Sequence, residues 1–160
     1  LMRYESLLSV NKLSLVKALE LRIHPPYLWV IFGLPALLGD WSNLMHPLSL
    51  LLSAVAGVLG SVALLSFFIA RTTYKPHQPH RTCRLVTSGV YRYSRNPMYL
   101  GLVLLLIALY VAMRAWWGVA LVPLFVLWLQ RFQISVEERI LRENFGQEYL
   151  AYLERVRRWC

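Results

Sequence analysis

The chain has 160 residues, of which 58% are hydrophobic, with a mean hydropathy of +0.48 and a formal net charge of +9. That is chain enough for one domain, and too apolar for an ordinary soluble one of this size. Its two cysteines, Cys83 and Cys160, exclude a disulfide-built scaffold, and both fall in segments expected to face the reducing cytoplasm.

Residues 5–22 set Leu8, Lys12, Leu15, Val16 and Leu19 at helical spacing among polar residues, the pattern of a short interfacial helix. Arg3, Glu5, Lys12, Lys17, Glu20 and Arg22 interrupt this stretch, which is unlike the apolar core of a signal peptide. His24-Pro25-Pro26 closes it and opens a first apolar segment, Tyr27 to Gly39 and on towards Met45, with Pro35 as a kink point. Leu48 to Ala70 is 23 residues without a charge, and a span needs about 20. A basic loop from Arg71 to Asn96 follows, with Pro76, Pro79 and Gly89. Loops this long are usually functional or disordered; Tyr74, Tyr91, Tyr93 and Leu85-Val86 give this one material to pack, which predicts order.

Met98 to Met113 and Ala115 to Gln130 are uncharged runs of 16 residues each, separated by Arg114. Joined as a single helix they would extend about 50 Å, too long for one crossing. A hairpin is therefore predicted, with Trp116 and Trp117 at the far interface. Beyond Gln133, Leu141, Phe145, Tyr149, Tyr152 and Val156 recur every three or four residues with charges between them. This predicts an amphipathic helix or helix pair on the membrane face, interrupted at Gly146. The predicted fold is all-α, an integral membrane bundle of about four transmembrane helices. One membrane domain covers 1–160: an interfacial helix and two spans over 1–70, then loop, hairpin and C-terminal helix over 71–160.

Sixteen of the seventeen Lys and Arg fall on one side of this arrangement, and only Arg114 lies opposite. The positive-inside rule makes that side cytoplasmic, with both termini. Membrane lipids are the expected partners. Nucleic acid is not expected, since most aromatics sit in or beside apolar runs, and no protein partner is implied. His77 and His80 are separated by Pro79 with no Cys, Asp or Glu beside them, so no metal site is predicted. Neither a glycine-rich phosphate loop nor a Rossmann fingerprint occurs.

The chemistry concentrates in Ser88-Gly-Val-Tyr-Arg-Tyr-Ser-Arg-Asn-Pro-Met-Tyr-Leu-Gly101 and in the pair Glu137-Glu138. A loop with arginines and an acidic pair, at one membrane face, suit a ligand carrying both charge signs, and S-adenosylmethionine is such a ligand. Plainer roles are also open. Glu137 and Glu138 suit a solvated helix N-terminus, Asn96 an N-cap with Pro97 in the first turn, and Arg95 an anchor to lipid phosphate.

The ordered set Leu85-Val86, Gly89, Tyr91, Arg95-Asn96-Pro97-Met98-Tyr99, Gly101, Glu137-Glu138, Phe145-Gly146, Tyr149 and Tyr152 resembles the isoprenylcysteine carboxyl methyltransferases and their relatives, the phospholipid methyltransferases. The resemblance covers roughly residues 71–159. It implies an S-adenosylmethionine-dependent membrane methyltransferase with a cytoplasm-facing pocket. Cys83, Arg84, Leu85, Val86, Gly89 and Tyr91 would surround the cofactor, Asn96, Pro97, Met98 and Tyr99 would meet its methionine part, and Glu137 would pair with its ammonium. Arg95, Glu138 and Arg158 would serve the reacting site. The implied acceptor is hydrophobic or amphipathic and enters from the bilayer. Asn96 replaces the histidine of the prenylcysteine enzymes, Gln133 an arginine and Arg157 a proline. A bacterial or archaeal inner membrane is the expected location. The alternatives are a phospholipid N-methyltransferase and a non-catalytic scaffold binding anionic lipid.

Overall fold

The computed structural model describes residues 25–70 and 85–160. The expected interfacial helix, His77, His80, Cys83 and Arg84 lie outside the described residues. Among the described residues all regular structure is helical, with no strand.

Helix α1, Pro25–Gly33, passes into a 3-10 turn at Leu34–Leu38, where Pro35 cannot supply a helical amide proton. A second 3-10 turn, Trp41–Asn43, is capped by Asp40, whose carboxylate accepts the Ser42 amide at 2.9 Å. Helix α2 runs Pro47–Ile69 and α3 Pro97–Ala112. After α3 come a 3-10 turn at Trp116–Leu121, α4 at Val122–Leu129, a π-helical turn at Gln130–Ile134, and α5 at Ser135–Arg155.

Two of these stretches are long and apolar enough to cross a membrane: Pro47–Ile69 and the continuous run Trp116–Arg155. The apolar part of that run ends near Leu129, and charge returns at Arg131. Pro25–Leu38 and Pro97–Ala112 are apolar but shorter. The first segment therefore stops well before the expected Met45, at Gly39. A Cβ on that glycine would lie 2.1 Å from the Met113 carbonyl. Large apolar side chains are exposed along one face of α2 (Leu51, Val58, Leu65, Phe68), on α1 (Val30, Ile31) and on α4 (Leu124, Leu127). Continuous apolar surface of this kind marks contact with lipid or a partner.

The core forms where α1, α3 and α4 meet, around Leu28, Tyr99, Val103, Leu106, Tyr110, Phe125 and Leu129. Its polar tips are satisfied internally. The Trp29 indole donates to the Leu102 carbonyl at 3.1 Å, and the Tyr110 hydroxyl to the Phe32 carbonyl. Helix α3 lies close to α2 at Gly101, where a Cβ would stand 3.2 Å from the Ala56 carbonyl. A small residue here lets the two backbones approach.

The predicted hairpin is present. Its turn passes through Arg114 in a left-handed conformation (φ 49°). At that end the Asp40 amide donates to the Met113 carbonyl at 2.7 Å, and Arg114 pairs with Asp40 at 3.6 Å. The two short loops 39–46 and 113–115 thus lie side by side. The opposite end gathers the residues before α3, the start of α5 and the C-terminus.

Candidate active site

Asn96 and Pro97 set the geometry of the loop-to-α3 junction. Pro97 begins the helix, and an N-cap was the plainer role open to Asn96. Its side chain caps nothing in α3. Instead, Nδ2 donates to the Arg158 carbonyl at 2.9 Å, while the Asn96 amide is held by Ser94 Oγ at 3.1 Å. The Arg95 amide donates to the Arg157 carbonyl at 3.0 Å. The C-terminal segment is thereby bound back onto the start of α3.

A solvated helix N-terminus was the plainer role open to the acidic pair, and the pair does fall in the first turn of α5. That turn lies within a continuous helical run, because the π-turn Gln130–Ile134 carries the chain from α4 into α5 without a break. The Ser135 hydroxyl donates to the Gln130 carbonyl and helps close that turn. A π-turn inserts one residue into the helical register and often marks a functional site. Gln133 and Ile134, inside the turn, are fully buried.

The two carboxylates have different partners. Glu137 Oε1 accepts a short hydrogen bond from the Tyr99 hydroxyl. Among the described residues no cation pairs with it. Burial raises its pKa to about 8; the Tyr99 bond opposes the rise and the charge of Glu138 adds to it. Glu138 is held by two arginines. Arg158 grips it with a fork, Nε to Oε1 at 3.0 Å and Nη2 to Oε2 at 2.5 Å. Arg95 Nη1 lies 3.5 Å from Oε1. Bidentate guanidinium–carboxylate pairs are the stronger kind, and this fork raises the Arg158 pKa. Arg95 is largely buried, and its Nε has no hydrogen-bond partner.

The loop side of the site is built from Leu85, Val86 and Tyr91. Gly89 adopts φ 62° and turns the chain into the 3-10 helix Gly89–Arg92. Val86 and Tyr91 pack with Ala63, and the Tyr91 ring meets Phe67 edge-on at 5.5 Å. The Tyr152 hydroxyl donates to the Tyr91 carbonyl at 2.7 Å, tying α5 to the loop. Met98 packs on the same cluster.

The structure therefore brings together Arg95, Glu138 and Arg158, and separately Tyr99 and Glu137. The Tyr99–Glu137 and Tyr152–Tyr91 bonds were not anticipated from sequence. Their partners are 38 and 61 residues apart, and only the tyrosines' places in the motif pointed to them. Arg158 is anchored at both its carbonyl, by Asn96, and its side chain, by Glu138.

No solved structure matches the chain. An uncharacterized protein of Haemophilus influenzae is 43% identical over 65 residues, which cover 39% of this chain and 98% of that protein. The model of the phospholipid methyltransferase family matches residues 44–148. That stretch takes in α2, the α3 junction and both carboxylates, and stops ten residues before Arg158. With about two thirds of its length matched by that model, the chain belongs to the phospholipid methyltransferase family.

Proposed function

We propose that the protein transfers a methyl group from S-adenosylmethionine to a lipid-like or amphipathic acceptor at the cytoplasmic face of a membrane. Glu137 carries this reading. Among the described residues no cation meets this buried carboxyl, and the cofactor's ammonium is the charge against which it ionises. The charge-assisted bond that results is among the stronger kinds available to a protein.

Around Glu137, the Asn96–Tyr99 turn faces the methionine part, and Leu85, Val86 and Tyr91 offer an apolar wall to the nucleoside. When bound, the cofactor supplies a methyl on a sulfonium, which needs little activation. The chain's own task is in-line positioning and exclusion of water. Arg95 and Arg158 face the acceptor. Glu138 holds both guanidinium groups in place, and with both oxygens already engaged it orients them rather than taking a substrate proton. The bundle crosses the membrane with Pro25–Leu38 and Pro97–Ala112 as two short additional crossings, giving four in all. An amine-bearing phospholipid is the second reading, favoured by the description of the matched family.

The test is methyl transfer from labelled S-adenosylmethionine to fractionated bacterial membrane lipids by the protein purified in detergent. Label should enter one lipid-soluble fraction, and E137Q should lose both the transfer and cofactor affinity. Cofactor affinity unchanged in a folded E137Q protein would overturn the assignment.

A further inference from the structure

Outside the cluster of Arg95, Asn96, Glu137, Glu138 and Arg158, the same end of the bundle carries a second concavity of about 270 Å³. Its walls are Thr87 and Arg92 on the loop side and Tyr152, Arg155 and Val156 on the α5 side. It shares no side chain with the carboxylate cluster. Its volume is just below that of small-molecule sites, about 300–1,000 Å³: room for a headgroup, not for acyl chains.

Its electrostatics are one-sided. Two guanidinium groups line it, and among the described residues no carboxylate does. Arg92 forms no ion pair with a described residue. Arg155 Nε donates to its own helix, to the Ala151 carbonyl at 3.1 Å, which steadies the side chain and leaves the terminal nitrogens as donors. Thr87 adds a hydroxyl. The two walls are joined by the buried Tyr152–Tyr91 bond and by packing of Leu85 with Tyr149, Tyr152 and Val156. The backbones that carry the two arginines are therefore held together by the core. Two forked donors and a hydroxyl on the walls of one groove suit an oxyanion with several oxygens in a tetrahedral array.

We propose that this groove binds a phosphate group, through Arg92, Arg155 and Thr87, at a site separate from the carboxylate cluster. The proposal does not depend on methyl transfer. A lipid headgroup and a soluble phosphate share this chemistry, and the experiment separates them.

The full chain in phosphate-free, non-ionic detergent is titrated calorimetrically with dihexanoyl phosphatidylglycerol and, separately, with inorganic phosphate. Saturable binding of the lipid alone identifies the headgroup as the source. Binding of both with similar affinity identifies free phosphate. In either case R92Q/R155Q should weaken binding about tenfold or more. R92K/R155K, which keeps the charge but loses the fork, should weaken it by a smaller factor. Circular dichroism and melting temperature establish that each variant is folded, and the lysine pair serves if the glutamine pair is not. Three outcomes overturn the proposal: neither probe binds, the folded variants bind as tightly as the parent, or S-adenosylhomocysteine displaces the probe. The last would make the groove part of the cofactor site.

Discussion

Glu137 and Glu138 are adjacent in sequence, yet one meets a phenol and the other two guanidinium groups. Among the described residues the first meets no cation and is open to one from a ligand. Since the ammonium requires the ionised carboxylate, and burial raises Glu137 to about 8, the ionised fraction falls about tenfold for each pH unit below that value. Affinity for S-adenosylhomocysteine should therefore drop about tenfold from pH 7 to pH 6, measured calorimetrically. E137Q should bind weakly with a flat profile over that range. The ligand-free protein has the opposite dependence. Its folded pKa lies above the ordinary value of 4.5, so the folded state holds this proton more tightly than the unfolded one. The stability this contributes is complete below about pH 4.5, declines up to about pH 8 and is gone beyond. Melting temperatures across that window should show less decline in E137Q than in the parent. The arginine cluster gives a different prediction. R95A should abolish turnover on the true acceptor while cofactor affinity changes less than threefold, because Arg95 contacts Glu138 and not Glu137. Full methyl transfer by R95A would reduce Arg95 to an interface anchor.

At the scale of elements, close approach decides which substitutions the bundle accepts. Gly118, in the 3-10 turn after the hairpin, faces the Tyr110 ring, and a Cβ there would lie 2.0 Å from it. Tyr110 is fully buried and hydrogen-bonded to α1 through the Phe32 carbonyl, so the ring cannot simply rotate away. G118A should destabilise by about 1–3 kcal/mol through overpacking, read as a lower melting temperature in detergent. G57A on α2 meets nothing within 4 Å and should have no such cost. The same elements show what could be read in advance. The hairpin was legible because Arg114 interrupts two uncharged runs, and the bend in α5 because Gly146 stands in a helical pattern; it adopts φ 48° there. The π-turn was not legible. Gln130-Arg-Phe-Gln-Ile134 contains no helix breaker, and the burial of Gln133 and Ile134 inside the turn is a tertiary feature. The bond from Asn96 to Arg158 was equally hidden, since it joins residues 62 apart and displaces the local cap that Asn favours at such a position.

The whole molecule has two unlike ends, and this asymmetry yields a topology. At one end Asp40 and Arg114 neutralise each other across the two short loops. The other carries Arg92, Arg95, Arg131 and the arginines of α5 and the C-terminus. Positive charge near membrane-crossing segments is retained on the cytoplasmic side, so loops 39–46 and 113–115 should be external and Cys160 cytoplasmic. Helix lengths complicate the crossing. The 16 residues of α3 rise about 24 Å, less than the roughly 30 Å of a hydrocarbon core. A short segment can be met by thinning of the bilayer and by anchors at its ends, and Trp116 and Trp117, both more than half exposed, stand where such anchors belong. The side-chain bonds from Trp29 to the Leu102 carbonyl and from Tyr110 to the Phe32 carbonyl tie the two short segments, α1 and α3, to each other. Labelling with a membrane-impermeant maleimide tests the arrangement. In a background with Cys83 and Cys160 replaced, S42C and A120C should react in intact spheroplasts. Cys160, exposed in the fold and restored as the only thiol, should react only after lysis. Labelling of Cys160 in intact cells would invert the topology and move both carboxylates to the side away from the cytoplasmic cofactor pool.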